Sequence, residues 1–103
     1  MDVFEALADP TRRQILCLLQ DGPMDASQIS DRFEISKPAI SKHLKRLLEG
    51  DLVTRTTRAQ HRIYRLDPTG FDEVESWVNQ RKQAWEVRLD NLGDYLEEKH
   101  GND

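Results

Sequence analysis

The fold of this chain is set by one segment, which reads Ser36-Lys37-Pro38-Ala39-Ile40-Ser41-Lys42-His43-Leu44-Lys45-Arg46-Leu47-Leu48-Glu49-Gly50. Ser36 is a good helix N-cap, and a proline is tolerated in the first turn, where no backbone N–H is needed. The apolar side chains recur at helical spacing on one face: Ile40, Leu44, Leu47 and Leu48. The opposite face carries Pro38, Lys42, Lys45 and Arg46, with Ser41 and His43 on the flanks. We predict an amphipathic helix over 37–49, ended by Gly50 in a left-handed conformation.

A shorter helix precedes this one. Asp25 and Gln28 have the spacing of a capping box, which predicts a helix over 25–33 that includes Ile29 and Phe33. Two short helices with a tight connection, the second with a cationic outer face, indicate a helix-turn-helix.

After Gly50 the apolar period changes from 3.6 to 2, which predicts a β-hairpin over 52–66. The first strand is rich in β-branched residues, and the second alternates from His61 to Leu66. Arginines near the tip give this hairpin the character of a DNA-binding wing. The turn lacks an Asn-Gly or Asp-Gly signal, so the loop length stays open.

Two helices are predicted before the helix-turn-helix, over 1–8 and 10–20. Asp9-Pro10 is a helix start, because Asp caps free amides and Pro suits the first turn. Cys17 lies between two leucines, so we expect a small core residue there; a redox switch is the alternative.

A long C-terminal helix is predicted over 70–99, with an apolar residue every seven positions. The apolar stripe of this helix is larger than so small a domain can bury. We therefore expect the helix to pair with a second subunit, and the apolar N-terminal helix to contribute to the same interface. The expected dimer residues are Val3, Phe4, Leu7, Phe71, Val74, Val78, Trp85, Leu89, Leu92 and Leu96. The predicted fold class is mostly α with a small β-hairpin, a winged helix-turn-helix with a C-terminal dimerisation helix.

The 103 residues correspond to one domain, and their net charge is −4. The charge is unevenly distributed. Residues 36–66 contain eight Lys and Arg against two acidic residues, a balance of +6, whereas the rest contains seven against seventeen, a balance of −10. A basic block within an acidic chain is typical of a phosphate-binding face, although a solvated basic surface has the same composition.

The chain contains no apolar run near the roughly 18 residues that a membrane helix requires. Its first residues are acidic and lack the basic start and apolar core of a signal peptide. A single cysteine rules out an internal disulfide framework. We expect a cytoplasmic protein without a membrane partner.

Three segments, in order and correctly spaced, resemble the ArsR family of winged helix-turn-helix repressors. Residues 6–16, Ala-Leu-Ala-Asp-Pro-Thr-Arg-Arg-Gln-Ile-Leu, are similar to the opening of these proteins; residues 36–47 resemble their recognition helix; and residues 50–53 with the arginine-rich hairpin resemble their wing. The likeness extends over about 3–98. It implies a homodimer that binds a partly palindromic operator and blocks transcription.

The metal sites of that family do not carry over to this sequence. Where some members have a Cys-x-Cys pair, this chain reads Met24-Asp25-Ala26-Ser27-Gln28, and where others have histidines on the C-terminal helix, residues 71–98 contain none. Zinc-like ions need several Cys or His ligands together. We expect no metal and no cofactor, as in metal-blind members that control their own operons.

The expected DNA contacts differ in their tasks. Ser36 and the first helical amides suit a phosphate, whereas Lys37, Ser41, Lys42 and His43 would face the major groove beside Pro38. Lys45 and Arg46 suit phosphates next to the groove, and Arg58 and Arg62 suit the adjacent backbone or minor groove. Arg55 and Arg65 are expected to brace the hairpin, and His43 has the edge of the core as its alternative place.

Other functions were weighed against DNA binding. An enzyme is disfavoured because the glycines stand singly, without a phosphate-cradling loop, and no His-Glu-x-x-His helix is present. A winged helix that binds another protein, and a repressor relieved by a small-molecule or thiol signal, remain open alternatives.

Overall fold

The computed structural model describes residues 2–101, and the side chains of residues 2–93. Its helices and strands, in chain order, are α1 (Val3–Ala8), α2 (Pro10–Leu19), β1 (Met24–Asp25), α3 (Ala26–Ser30), α4 (Lys37–Glu49), β2 (Val53–Arg58), β3 (His61–Leu66) and α5 (Pro68–Gly101). The predicted class, mostly helical with a small β-hairpin and a long C-terminal helix, is confirmed, with a short third strand in addition.

Local capping chemistry places the starts of α2, α3 and α4 where the sequence predicts them, whereas α1, predicted over 1–8, begins at Val3. The Asp9 carboxylate accepts a hydrogen bond from the Arg12 N–H at 3.0 Å, and Ser36 Oγ accepts one from the Ala39 N–H at 3.2 Å. The predicted capping box is present, because Gln28 Oε1 accepts from the Asp25 N–H at 2.9 Å while Asp25 caps the first turn of α3. Helix α3 is shorter than expected: it ends at Ser30, and the backbone continues as turns.

The core lies where α1, α2, α3 and α4 meet the base of the hairpin. Its buried side chains come from each of these elements. The largest are Val3, Ile15, Ile29, Ile40, Leu44, Leu47 and Leu52. The apolar face of α4 is thus buried within the subunit, as its periodicity predicts.

The sheet is antiparallel with strand order β1-β3-β2. The sequence did not indicate β1, because only Met24 and Asp25 belong to it and their strand character comes from pairing with Tyr64 and Ile63. Arg58 pairs with His61, so the hairpin turn has two residues, and Ala59 adopts a positive φ of 54°. A left-handed residue in the turn explains how a two-residue hairpin forms here without an Asn-Gly or Asp-Gly pair.

The predicted left-handed Gly50 is wrong. Its φ is −85°, and the left-handed residue is the next one, Asp51, with φ 56°. Glycine at 50 instead allows a close approach, because a Cβ there would lie 3.0 Å from the Ala6 Cβ, which is tighter than an ordinary contact. At Gly70 a Cβ would lie only 2.6 Å from the Asp51 carbonyl oxygen, which also accepts the Gly70 N–H. These two glycines bring α1, α4 and α5 into close contact.

The expectation that Cys17 lies in the core is also wrong. Its side chain is exposed, whereas Ile15, Leu16 and Leu19 face inward. Position 17 lies about 200° around the helix from position 15, so the buried face of α2 excludes it.

Helix α5 begins at Pro68, two residues before the predicted start, and its first turns pack on the core through Phe71 and Val74. Over the residues that the structure describes, none of the helices is both long and apolar enough to span a bilayer.

Candidate nucleic-acid interface

The outward side of α4 is an exposed cationic surface. Lys37, Pro38, Ser41, Lys42, Lys45 and Arg46 are all exposed, as is the N-cap Ser36. Lys37, Lys42 and Lys45 have no carboxylate partner among the described residues. The structure therefore brings most of the predicted recognition residues together on one open face, here called the α4 face.

His43 differs from the other predicted contacts. Its ring is half-buried and turned toward α2, where its Nδ1 lies 3.3 Å from Arg12 Nη1 and 3.8 Å from Asp9 Oδ2. An arginine can only donate, so Arg12 Nη1 donates to His43 Nδ1 when that ring nitrogen carries no proton. His43 thus lies at the edge of the core, on the flank of the α4 face.

Arg12 makes this contact with His43, and it was not predicted from the sequence as a functional residue. Its side chain is 9% exposed; Nε donates to the Ala6 carbonyl at 2.7 Å and Nη2 to the Glu5 carbonyl at 2.9 Å. These carbonyls belong to the last turns of α1, which lack helical partners. One guanidinium therefore connects the end of α1 with the recognition helix. The signal in the sequence was an arginine three residues after the Asp9 cap.

The electrostatics of Asp9 follow from the same cluster. Partial burial raises the pKa of Asp9, but the hydrogen bond from the Arg12 backbone N–H and the electrostatic influence of the His43 ring and the Arg12 guanidinium together outweigh it. The pKa of Asp9 therefore lies below its ordinary value, so Asp9 is ionised at neutral pH and strengthens the start of α2.

The hairpin continues the basic surface beside α4. Arg55, Arg58, Arg62 and Arg65 are all exposed, but neighbouring residues along a strand point to opposite sides. Arg58 and Arg62, the two predicted wing contacts, consequently lie on opposite faces of the hairpin.

His61 anchors the hairpin to α3. Its Nδ1 lies 2.6 Å from Asp25 Oδ2, and Asp25 also caps α3. Hydrogen bonds from the backbone and hydroxyl of Ser27, together with His61, lower the pKa of Asp25. The wing is thus held to the helix-turn-helix by a charged contact.

The apolar stripe of α5 is largely uncovered in the single subunit. Trp85 is 59% exposed and Leu92 52%, and Val78 and Leu89 are also exposed. We call these four residues the α5 seam. Phe4 of α1 lies beside it, with its ring 5.4 Å from that of Trp77, and Arg81 lies over the Trp77 ring.

The other predicted dimer residues are placed differently. Val3 is only 2% exposed and belongs to the core of the subunit, so it offers a partner no surface. Leu7, Phe71 and Val74 are half-buried against that core. Leu96 lies outside the residues whose side chains are described.

Within residues 2–93, no three His, Cys, Asp or Glu side chains come together in a group that could hold a metal ion. Cys17 lies alone on the exposed side of α2.

Comparison with known proteins agrees with this arrangement of α3, α4 and hairpin. The sequence profile described as "Bacterial regulatory protein, arsR family" matches residues 9–55. The transcriptional repressor SdpR of Bacillus subtilis is 40% identical over 77 residues, which cover 75% of this chain and 86% of SdpR. The chain belongs to the ArsR family. A second relative, the HTH-type transcriptional regulator Rv2034 of Mycobacterium tuberculosis, is 42% identical over 68 residues, which cover 66% of this chain and 64% of that protein.

Solved structures of the ArsR family share the fold. An ArsR-like transcriptional regulator from Rhodococcus sp. RHA1 superposes with a TM-score of 0.76 at 30% identity, covering 87% of this chain and 85% of that one. This ArsR-family chain is a DNA-binding transcriptional regulator and not an enzyme. The resemblance seen in the sequence is confirmed.

Proposed function

We propose that this ArsR-family regulator is a homodimeric repressor that binds a partly palindromic operator and does so without a metal ion. The observation that carries the proposal is the α4 face: its lysines are exposed and unpaired among the described residues, while Ile40, Leu44 and Leu47 on the opposite side are buried. A rigid helix with one open cationic side fits the major groove of DNA.

The contacts are divided by task. Lys37, Ser41 and Lys42 read base edges, because Lys reaches guanine acceptors and Ser serves either partner. Lys45, Arg46 and the Ser36 hydroxyl bind phosphates, and Pro38 packs against the groove wall. The wing residues Arg58 and Arg62 approach the adjacent backbone or minor groove. His43, held at the flank by Arg12, sets the position of α4 and borders the groove.

A second copy of this chain covers the α5 seam and Phe4. Exposed apolar side chains along several turns of one helix are costly in water, and a symmetric partner supplies the same apolar surface in return. Two α4 faces held in this way match half-sites about one helical turn apart, roughly 34 Å.

The repressor assignment is supported by the name of SdpR, and the metal-independent assignment by the lack of a ligand cluster within the described residues. Such a protein acts on the chromosome, so we assign it to the cytoplasm.

The decisive experiment is a titration of Lys42→Ala on two duplexes. Genomic fragments captured by the wild-type protein supply the operator, and a shuffled duplex of equal length supplies random DNA. Removal of a base contact weakens operator binding by about 1–3 kcal/mol, while random DNA loses only one charge. We therefore expect Lys42→Ala to reduce the ratio of operator to random affinity by at least about fivefold.

The matched control is Arg62→Ala, which removes a proposed backbone contact. It is expected to weaken binding to both duplexes alike. Equal losses with Lys42→Ala would remove the base-reading role, and a wild-type protein that captures no fragment would remove the proposed function altogether.

A further inference from the structure

The pairing of β2 with β3 divides the four wing arginines into two pairs. Arg55 lies opposite Tyr64, and Arg62 lies opposite Thr57, and these residues point to one side of the sheet. Arg65, opposite Thr54, and Arg58, opposite His61, point to the other side. The arginines are therefore grouped by the side of the sheet to which they point, and not by their distance from the hairpin tip.

The side that carries Arg55 and Arg62 is turned toward α4. Tyr64 and Val53 on that side are 4% and 2% exposed, so this face packs on the core. Between it and the flank of α4 runs a cleft of about 360 Å³, lined by Ser41, Lys45, Leu48, Arg55, Arg62 and Tyr64. Arg65 lines a different cleft, with Asp25 and His61.

The charges around the α4 cleft are all of one sign. Lys45, Arg55 and Arg62 are exposed and form no ion pair with any side chain of residues 2–93. Three converging cations repel one another until an anion lies between them. Guanidinium forks suit the oxygens of a phosphate.

We propose that this cleft binds one phosphate of the DNA backbone, and that Arg55 is a DNA-binding residue rather than a brace of the hairpin. The proposal rests on the proposed function. Lys45 belongs to both the α4 face and the cleft, so a duplex seated on the α4 face passes its backbone along the cleft mouth. Arg65, on the other side of the sheet, takes no part in this site.

The test compares Arg55→Gln with Arg65→Gln. Both variants remove one exposed positive charge from neighbouring positions of the same hairpin, so long-range electrostatics change equally. Binding to a fluorescent 30-base-pair duplex of random sequence is measured between 50 and 200 mM salt. We expect Arg55→Gln to weaken binding roughly fivefold and to lower the log–log salt slope by about 0.9, with less than a twofold change for Arg65→Gln.

Ethylation interference on a captured operator fragment gives a second readout. Ethylated phosphates that block the wild-type protein at the cleft should no longer interfere with Arg55→Gln, while the remaining pattern is kept. Arg55→Lys, which retains the charge, should retain the wild-type salt slope and checks that the hairpin folds.

The outcomes separate the two proposals. If the wild-type protein binds no duplex, the proposed function fails. If it binds but Arg55→Gln and Arg65→Gln lose affinity equally, or the interference pattern is unchanged, only the cleft assignment is overturned. Saturation of the cleft by millimolar inorganic phosphate, with no competition by duplex, would show a free-phosphate site and also overturn the DNA assignment.

Discussion

Helix α4 and the C-terminal helix α5 each carry an apolar stripe, but only the stripe of α4 is buried within the subunit. Leu44 and Leu47 on the apolar face of α4 are 1% and 0% exposed, whereas Trp85 and Leu92 on α5 are 59% and 52% exposed. The core of the subunit thus covers the apolar side of α4 and leaves the apolar side of α5 exposed to solvent. The exposed polar side of α4 supports the proposed DNA contact, and the exposed apolar side of α5 supports the proposed dimer. The first two of four predictions test this contrast, and the other two test the contacts of Arg12 and Asp9 beside α4.

The largest effect is expected where α4 is buried. Leu47→Ala leaves a cavity in the core and should lower the free energy of unfolding by about 3 kcal/mol. Urea titration at several protein concentrations checks this, with Leu89→Ala as the α5 counterpart. The α4 variant should lose the same stability at every concentration, and the loss for Leu89→Ala should grow with concentration, since it acts through the dimer. Identical behaviour of the two variants would contradict the contrast.

The next effect concerns the α5 seam. Trp85→Glu places a charge in the apolar contact and should raise the dimer dissociation constant roughly 100-fold, about 2.7 kcal/mol. Sedimentation equilibrium measures this directly. Gln83→Glu is the matched control, because it adds the same charge about 200° around the helix and should leave the dimer intact. A wild-type protein that sediments as one 12.0 kDa chain at micromolar concentration would refute the seam as an interface.

A smaller effect is expected at the contact between α1 and α4. Arg12→Ala leaves two carbonyls of α1 without their donors and should cost about 2 kcal/mol of unfolding free energy. Arg12→Lys keeps the charge but not the planar fork, so it should recover less than half of that loss. The neighbouring Arg13 is the control, because its exposed guanidinium also donates to a carbonyl of α1, that of Leu7 at 2.7 Å. A cost from Arg13→Ala as large as that from Arg12→Ala would argue against a special role for the buried guanidinium.

The smallest effect depends on pH. Because the pKa of Asp9 is lower in the folded protein, its ionised form contributes stability above about pH 4, and that contribution disappears as the pH falls through the folded pKa. Asp9→Asn keeps a capping side chain and removes only the charge. It should cost about 0.5 kcal/mol at pH 7 and nothing near pH 2 in urea titrations. Asp21→Asn makes the same charge change beyond the end of α2 and should show no such pH-dependent cost.

The predictable parts of this molecule are those governed by near neighbours in the chain. Asp9, Asp25 and Ser36 cap helices because their oxygens reach backbone amides two or three residues away. The errors occur where a distant contact decides. Gly50 allows the close approach of Ala6 rather than a left-handed φ, and Met24–Asp25 forms a strand only because Tyr64 and Ile63 lie beside it.

The same distinction between near and distant contacts applies to the candidate DNA-binding surface. Its cationic helix could be predicted from periodicity, because a helix of known period assigns each side chain to a face. The grouping of Arg55 with Lys45 and Arg62 could not, since it depends on the strand register and on which side of the sheet packs against α4.

The sequence alone therefore determined the helices, their caps, the cationic side of α4 and the family, because these depend on contacts within a few residues or on periodicity. Tertiary structure alone decided that His43 turns toward Arg12, that Cys17 faces solvent and that the apolar side of α5 stays open. Those outcomes depend on which surfaces of distant segments meet, and the free energy of burial selects among them only once the whole subunit is packed.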